Sequence, residues 1–249
     1  MPAITPSRIW PGPAVKARRF TPTGVSCLTR PSSDSLAERL AALRAGLPPG
    51  CRLLAVSKGQ PAARIREAVA AGQRSFGESR LQEAVAKQGE LADLEPLDWH
   101  FIGRLQANKA RGVVRHFGTI HSLDSLELAR RLARLAAEEQ RQPAVLFQVK
   151  FRPDPAKTGF EPAELRRHWP ELAGLAPLRP VGLMTLPPLG LTPEERGELF
   201  AECAALATEL GLPERSMGMS GDWPEAAAAG STWVRIGSGL FGPRLAPPP

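Results

Sequence analysis

The sequence has few cysteines and no long apolar segment. It contains three cysteines at wide spacing, Cys27, Cys51 and Cys203, and no Cys-x-x-Cys pair or Cys/His cluster with zinc-ligand spacing. We therefore expect neither a disulfide framework nor a metal site, and this cysteine usage fits a reducing cytoplasm. No segment approaches the ~18 consecutive apolar residues of a transmembrane helix, so we expect no spanning helix and no membrane partner.

Acidic residues are absent from residues 1–33, which carry +5 of the net charge of +7. This segment is rich in proline, arginine, serine and threonine, which predicts a flexible basic N-terminal extension. A targeting segment of the transit-peptide type is the alternative, although several prolines oppose the amphipathic helix that such a segment needs. The remaining residues carry only +2, with both signs interspersed on predicted helix faces, so we expect no nucleic-acid partner.

From residue 35 onward, short apolar runs alternate with helical patterns. Strands are predicted at 52–57, 75–78, 99–102, 119–122, 144–149, 181–184, 216–219 and 233–236. Helices are predicted at 35–46, 62–71, 79–93, 105–116, 125–141, 162–174, 193–210 and 223–229. Such alternation implies parallel strands joined by helical crossovers. Eight repeats in a chain of this length predict an α/β fold, a single (β/α)8 TIM barrel over residues 34–249.

Lys58 closes the first predicted strand, and functional residues of TIM barrels lie at the carboxyl ends of strands. Apolar neighbours would surround its stem, and burial disfavours the ammonium form of a lysine. The neutral amine is the nucleophile that forms a Schiff base with an aldehyde. From position alone, a lysine whose stem lies along apolar residues and whose amine reaches solvent is the alternative.

The last strand leads into a segment of small residues, Gly237, Ser238 and Gly239. Small residues allow main-chain N–H groups to approach an anion, and TIM barrels often bind phosphate after strands seven and eight. Ser220, at the end of the seventh predicted strand, could add a hydroxyl to this phosphate cup. A simple turn that leaves the strand is the alternative. A lysine on strand one beside a phosphate cup suggests an aldehyde-bearing phosphate ligand.

Arg235 lies within the eighth predicted strand, where an unpaired buried charge would be costly. A guanidinium donates hydrogen bonds but accepts none, so it could face a pyridine nitrogen without protonating it. A structural salt bridge to Glu78 or Asp222 is the alternative.

We expect His100 and His121 to be core or rim histidines whose hydrogen bonds are satisfied.

Three methionines and one aspartate near the strand ends have simpler structural explanations than ligand binding. We expect Met184, Met217 and Met219 to pack in the protein interior. Asp222 precedes the predicted helix at 223–229, and aspartate is a preferred N-cap residue.

Motifs at these strand ends resemble those of a known family. In chain order they are Ala55-Val-Ser-Lys58, Phe76-Gly-Glu-Ser79, Trp99-His-Phe-Ile-Gly103, Leu105-Gln-Ala-Asn-Lys109, Ser216-Met-Gly-Met-Ser220, Val234-Arg-Ile-Gly237 and Phe241-Gly242. They resemble the pyridoxal phosphate homeostasis protein family, single-barrel relatives of the alanine racemase N-terminal domain. The resemblance covers residues 35–244 and implies a TIM barrel that binds pyridoxal 5′-phosphate.

By that resemblance, Lys58 forms the internal aldimine with the cofactor, and Arg235 faces its pyridine nitrogen. Ser220, Gly237 and Ser238 match the phosphate-binding positions. The family is implicated in keeping the cofactor available but bound, without an established turnover, so no catalytic residue is expected.

Four positions depart from the family pattern. Ser79 and Lys150 stand where asparagine is usual, Gly221 replaces a polar or acidic residue, and Ser238 replaces a threonine. Ser238 keeps the hydroxyl. The amine of Lys150 near the mouth of the pocket could alter the affinity for the cofactor or its transfer.

Three functions follow as alternatives from these residues. The first is a monomeric cytoplasmic carrier that holds pyridoxal 5′-phosphate for apo-enzymes that depend on it. The second is a racemase of amino acids that uses the same cofactor, and the third is a class I Schiff-base aldolase acting on a sugar phosphate. Related racemases use a tyrosine from a second domain. The chain has no tyrosine, and only residues 243–249 follow Gly242, so we expect the carrier.

Overall fold

The computed structural model of the protein describes residues 35–243, and the basic extension predicted at 1–33 lies outside this range. The strands are β1 (Arg52–Val56), β2 (Ser75–Glu78), β3 (Asp98–Phe101), β4 (Thr119–Leu123), β5 (Ala144–Gln148), β6 (Arg179–Met184), β7 (Glu214–Met219) and β8 (Trp233–Ile236). The helices are α1 (Leu36–Gly46), α2 (Ala62–Ala70), α3 (Leu81–Glu90), α4 (Ala110–His116), α5 (Leu126–Glu138), α6 (Pro162–Ala173), α7 (Pro193–Glu209), α8 (Trp223–Ala228) and α9 (Ser238–Phe241).

The eight strands pair in parallel in chain order, and β8 pairs with β1 to close the barrel. Leu54 lies opposite Arg235 and Ala55 opposite Ile236 in the closing pair. The predicted (β/α)8 barrel is therefore confirmed, with every predicted strand and helix present.

Burial on both faces explains why the strands have near-continuous apolar sequences. All residues of β5 and β8 are buried, because one face lines the barrel interior and the other packs against helices. Ala55 and Phe76 pack outward with Ile65 of α2, whereas Leu54 lies beside Gly77. The alternation of side chains along β1 therefore directs Leu54 and Val56 towards the interior.

Helix α1 begins at the capping residue that the sequence predicts. The Ser35 hydroxyl accepts from the Glu38 N–H, and the Glu38 carboxylate accepts from the Ser35 N–H, which is the predicted capping box. No helix within residues 35–243 has the length and apolar character needed to cross a membrane.

Three strands begin earlier than their apolar patterns predict: β3 by one residue, and β6 and β7 by two residues each. β6 starts at Arg179 and β7 at Glu214, whereas the sequence predicts starts at 181 and 216. Glu214 pairs with Gly182 at the amino-terminal end of the barrel, where polar side chains reach solvent. A prediction that follows apolar runs misses such polar strand starts.

Candidate functional site

The carboxyl ends of β7, β8 and β1 form one side of the barrel mouth, which we call the rim. Lys58 follows β1 by two residues, Ser220 directly follows β7, and Gly237 and Ser238 follow β8. Because β8 pairs with both β7 and β1, the strand ends that carry these residues are neighbours. The closed topology thus brings together residues separated by about 180 positions in the sequence.

Lys58 begins the turn that leaves β1 and is half-buried. Two residues earlier, Val56 packs against the end of β8: a Cβ atom built on Gly237 would lie 3.5 Å from the Val56 Cβ atom. The chain therefore passes close to the phosphate-cup segment just before it reaches Lys58.

Helix α3 holds the peptides on both sides of Lys58. The Lys87 Nζ atom donates to the Ser57 carbonyl oxygen at 2.8 Å, and the Gly59 N–H donates to the Glu83 carboxylate. Glu83 and Lys87 are four residues apart on one face of α3, where their side chains meet at 2.6 Å. This arrangement fixes the backbone that carries Lys58.

A buried ion pair lies next to this contact, and we call Ser57, Glu78, Glu83 and Lys87 the Lys87 cluster. The Glu78 Oε1 atom accepts from Lys87 Nζ and from the Ser57 hydroxyl, each at 2.7 Å. Burial raises the pKa of Glu78 above its usual value, although the hydrogen bonds from Lys87 and Ser57 lower it. Its Oε2 atom is buried and has no hydrogen-bond partner among the described residues.

The residues of the predicted phosphate cup lie together at the rim. The Ser220 Oγ atom lies 3.4 Å from the Ser238 Oγ atom, and the Gly239 N–H points at it over the same distance. A Cβ atom at Gly239 would lie 3.2 Å from Ile236 Cγ2 and 3.6 Å from Ser220 Oγ, so a side chain there would intrude on the cup. All three residues are exposed to solvent and accessible to a ligand.

A bulge in β7 sets the position of Ser220. The pairing of β7 with β8 shifts register between Ser216 and Met219, and Gly218 adopts a φ of 88° there. A Cβ atom on Gly218 would lie 2.7 Å from the Ala226 Cβ atom, so both the backbone conformation and the close approach of α8 require glycine.

Arg235 lies inside the barrel and is 5% exposed. Its Nη1 atom donates to the Ser216 carbonyl oxygen at 2.5 Å and to the Ser216 hydroxyl at 2.8 Å, and its Nη2 atom donates to the Thr185 carbonyl oxygen at 3.0 Å. The alternative salt bridge to Glu78 or Asp222 is therefore wrong, because neutral oxygens take the place of a carboxylate. Burial lowers the pKa of Arg235 to about 10, so the guanidinium remains charged.

The histidines His100 and His121 are buried and hydrogen-bonded to each other, as expected: His100 Nδ1 lies 2.8 Å from His121 Nε2.

Asp222 occupies the N-cap position of α8, but its Oδ1 atom accepts from the Met219 N–H at 2.5 Å and not from a helix N–H. The N-cap prediction is thus confirmed for the position of Asp222, although its side chain accepts from the bulge of β7 instead of from the helix.

The methionines differ in their exposure. Met184 and Met217 are buried, as expected, whereas Met219 is 37% exposed at the rim, so the packing prediction is wrong for Met219.

The positions that depart from the family pattern lie at different depths. Lys150 is half-buried and its Nζ atom lies 3.7 Å from a Glu161 carboxylate oxygen, so this amine has a nearby counter-charge. Ser79 is half-buried after β2, and Gly221 is exposed beside Ser220.

Sequence reasoning missed Lys87, Ser216 and Thr185 as residues of the site. The only signal for Lys87 is its spacing from Glu83, which is shared by many solvent-exposed pairs. Ser216 and Thr185 acquire their role only through Arg235, which reaches them across strands that are distant in sequence.

Comparison with known proteins places this geometry in a family. The family model "Alanine racemase, N-terminal domain" matches residues 32–245. A pyridoxal phosphate homeostasis protein of Synechocystis is 50% identical over 207 residues, which are 81% of this chain and 95% of that protein. A protein of the same name from Pseudomonas aeruginosa is 45% identical over 215 residues, which are 83% of this chain and 90% of that protein.

Solved structures show the same barrel. PipY of Synechococcus elongatus, solved with PLP bound, superposes with a TM-score of 0.81 at 54% identity and covers 84% of this chain and all of that chain. Alanine racemase of Clostridium difficile superposes with a TM-score of 0.66 at 15% identity, covering 82% of this chain and 56% of that chain, a likeness of fold alone.

Proposed function

The chain belongs to the pyridoxal phosphate homeostasis proteins, within the alanine racemase N-terminal domain family, and on this premise we propose that it binds pyridoxal 5′-phosphate at the rim and keeps it available inside the cell. The observation that carries this proposal is that neighbouring strands β1, β7 and β8 carry Lys58, the contacting hydroxyls of Ser220 and Ser238, and the buried Arg235 at or near their carboxyl ends. The PLP-bound relative at 54% identity supports it.

The donor set fits this cofactor, which supplies a phosphate, a pyridine nitrogen and an aldehyde that condenses with a neutral amine. Lys58 provides the amine. The hydroxyls of Ser220 and Ser238 and the N–H groups around Gly237 provide hydrogen bonds for phosphate oxygens. The absence of a side chain at Gly239 leaves room for an anion beside Ser220.

Arg235 supplies a hydrogen bond to the ring nitrogen and keeps that nitrogen unprotonated. Its bonds to Ser216 and Thr185 use three of its five N–H groups among the described residues. A buried guanidinium in this position favours an acceptor such as a neutral ring nitrogen over a second cation.

The role of the site is to hold the cofactor and release it to apo-enzymes that require it, with the chain acting as a monomer in a reducing cytoplasm. The free thiols of Cys51 and Cys203 support the reducing compartment. Size-exclusion chromatography with light scattering tests the monomer, and transfer to a purified apo-enzyme tests the release.

Spectroscopy and peptide mapping test the proposal directly. The purified protein is incubated with pyridoxal 5′-phosphate, its visible spectrum is recorded, and the adduct is reduced with borohydride and mapped by mass spectrometry. We expect the pyridoxyl mass on Lys58, its loss in Lys58→Ala, and an unchanged adduct in the control Lys109→Ala. A colourless protein, or an adduct on another lysine with Lys58 unmodified, contradicts the proposal.

Enzyme assays separate this function from the other two. Multiple-turnover interconversion of amino-acid enantiomers would assign a racemase. Cleavage of a sugar phosphate by protein that contains no pyridoxal 5′-phosphate would assign an aldolase. We expect neither activity.

A further inference from the structure

A chain of hydrogen bonds crosses the barrel interior from Arg235 to its amino-terminal end. The Ser216 Oγ atom lies 2.8 Å from Arg235 Nη1 and 2.9 Å from His121 Nδ1. His121 Nε2 lies 2.8 Å from His100 Nδ1, and His100 Nε2 lies 2.6 Å from Asp98 Oδ2. We call these five residues the Arg235–Asp98 chain.

Four different strands contribute to this chain. Arg235 lies in β8, Ser216 in β7, His121 in β4, and His100 and Asp98 in β3. Ser216, His121 and His100 are at most 1% exposed, whereas the Asp98 side chain is 46% exposed at the start of its strand. The chain therefore joins a buried cation near the mouth to a carboxylate at the opposite end of the barrel.

With both histidines neutral, one direction of hydrogen bonding satisfies both ends and every hydrogen along the Arg235–Asp98 chain. Arginine only donates, so the Ser216 oxygen accepts and its hydroxyl hydrogen is directed to His121 Nδ1. His121 must then carry its proton on Nε2 and donate to His100 Nδ1. His100 in turn carries its proton on Nε2 and donates to the Asp98 carboxylate, which only accepts when ionised.

The ionisation of the groups agrees with this direction. Burial is the main cause that lowers the pKa of His121 well below its usual value, and the nearby charge of Arg235 acts in the same sense, so this ring is neutral. Burial raises the pKa of Asp98, but hydrogen bonds from His100 and Ser75 outweigh this effect and lower it, so the carboxylate is ionised. In the reversed chain, the Ser216 hydroxyl hydrogen would lose His121 as its acceptor, which is costly for a buried group.

Burial lowers the pKa of Arg235, the charge of Asp222 opposes this shift, and the Arg235–Asp98 chain adds a directly bonded acceptor for the guanidinium. No carboxylate lies within 4 Å of its guanidinium among residues 35–243. Aligned hydrogen bonds polarise one another in a medium of low dielectric constant. The negative charge of Asp98 thereby strengthens the acceptor that Ser216 presents to Arg235.

We propose that Ser216 and His121, with His100 and Asp98 behind them, are positioning residues that orient the Arg235 guanidinium towards the ring nitrogen of the cofactor. This proposal rests on the proposed function for the ligand, but the direction of the chain is a property of the protein alone. Ser216 holds one Nη atom, the Thr185 carbonyl holds the other, and the remaining N–H groups are set before the ligand arrives.

The tautomers of the two histidines test the chain without any cofactor. Long-range proton–nitrogen correlation spectra of histidine-labelled protein near pH 7.5 should show protonated Nε2 and unprotonated Nδ1 in both His100 and His121. A protonated Nδ1 atom in either ring overturns the proposed direction, whether or not the protein binds pyridoxal 5′-phosphate.

A pair of serine variants tests the positioning. In Ser216→Ala the guanidinium keeps its bonds to the main-chain carbonyl oxygens of residue 216 and Thr185 but loses the bond to the hydroxyl. It is then held less firmly, which should weaken binding of pyridoxal 5′-phosphate about three- to tenfold and shift the visible absorption maximum of the bound cofactor. The matched control is Ser231→Ala: its hydroxyl is also buried and contacts the carbonyl oxygens of Met217 and Trp233, but it has no hydrogen bond with Arg235. The control variant should have a lower free energy of unfolding but the same visible absorption maximum as the wild-type protein.

A double variant tests whether His121 acts through Ser216. His121→Phe should shift the absorption maximum in the wild-type background and add no further shift in Ser216→Ala. Equal spectra and affinities for Ser216→Ala and Ser231→Ala overturn the positioning role. If the wild-type protein takes up no pyridoxal 5′-phosphate, the proposed function fails. The histidine spectra still test the direction of the hydrogen bonds in the Arg235–Asp98 chain.

Discussion

Replacement of Lys87 by methionine tests the energetics of the Lys87 cluster most directly. Methionine has a similar volume, so packing is largely kept while the ammonium group is lost. Lys87 Nζ donates to Ser57, Glu78 and Glu83 at 2.8, 2.7 and 2.6 Å and is almost completely buried. The change leaves the Glu78 carboxylate buried without its cation.

The expected loss of stability follows from the buried Glu78 carboxylate that the substitution leaves without its cation. Removal of one partner from a buried ion pair destabilises a protein by about 3–5 kcal/mol. For a domain of this size each kcal/mol lowers the Tm by about 2–4 °C, so the expected fall is on the order of 10 °C. The turn that carries Lys58 also loses one of its two anchors, so binding of the cofactor should weaken in parallel.

The loss of unfolding free energy in Lys87→Met, which we call the Lys87→Met deficit, should depend on pH, because Glu78 can take up a proton. Burial already raises its pKa in the native protein, and without Lys87 the pKa rises further. A carboxyl group stabilises the folded state if its pKa is higher in the folded than in the unfolded protein, where it is about 4.3. This contribution is complete at pH values below the unfolded pKa and is lost as the pH rises through the folded pKa. The Lys87→Met deficit should therefore be largest near pH 8 and shrink towards pH 5.

Urea unfolding at pH 5 and pH 8 measures this effect, provided that the m-value is unchanged. The control is the double variant Glu78→Gln/Lys87→Met, which removes both charges and should recover stability at pH 8 with little dependence on pH. A Lys87→Met deficit that is equal at both pH values, or larger at pH 5, would refute the reasoning.

Three further predictions concern the rim and the core. Gly239→Ala should weaken binding of pyridoxal 5′-phosphate about tenfold by calorimetry, because the new methyl group crowds Ser220 and costs a hydrogen bond to the charged phosphate; pyridoxal, which has no phosphate, should bind both proteins equally. Gly218→Ala should lower the Tm by about 5 °C or more in calorimetric scans, since its φ of 88° costs about 1–2 kcal/mol and α8 leaves no room; an unchanged Tm contradicts this. Cys203 is buried, which raises its pKa to about 12, so iodoacetamide at pH 8 should leave it unmodified in the native protein and modify it in urea, as peptide mapping can show.

The fold was predictable because the strands of a parallel barrel are buried on both faces and therefore read as short apolar runs. Arg52–Val56 and Ala144–Gln148 are clear examples. The strand starts at Arg179 and Glu214 were not predictable in this way, since polar residues pair there at the solvent-exposed end. The sequence shows the apolar part of a strand, whereas hydrogen bonding extends beyond it.

The rim residues were predictable because their positions follow from the strand ends. The strand ends that carry Lys58, Ser220 and Ser238 are neighbours in a closed barrel, so the predicted topology is enough to bring them together. The partners of Arg235 were not predictable, because Ser216 and His121 are 95 residues apart and neither motif indicates the other. A buried arginine can be satisfied by carbonyl and hydroxyl oxygens as well as by a carboxylate, and the sequence does not distinguish these possibilities.

The pairing of β1 with β8 also determines when the site comes into existence. Lys58 lies two residues after the first strand of the barrel and Arg235 lies in the last strand, so a ribosome must release nearly the whole chain before the two can meet. Contacts between such distant residues form late and slowly, because a long loop must close first. Uptake of the cofactor is therefore a signal of completed folding, and a nascent or truncated chain that lacks β8 carries the lysine without a pocket around it.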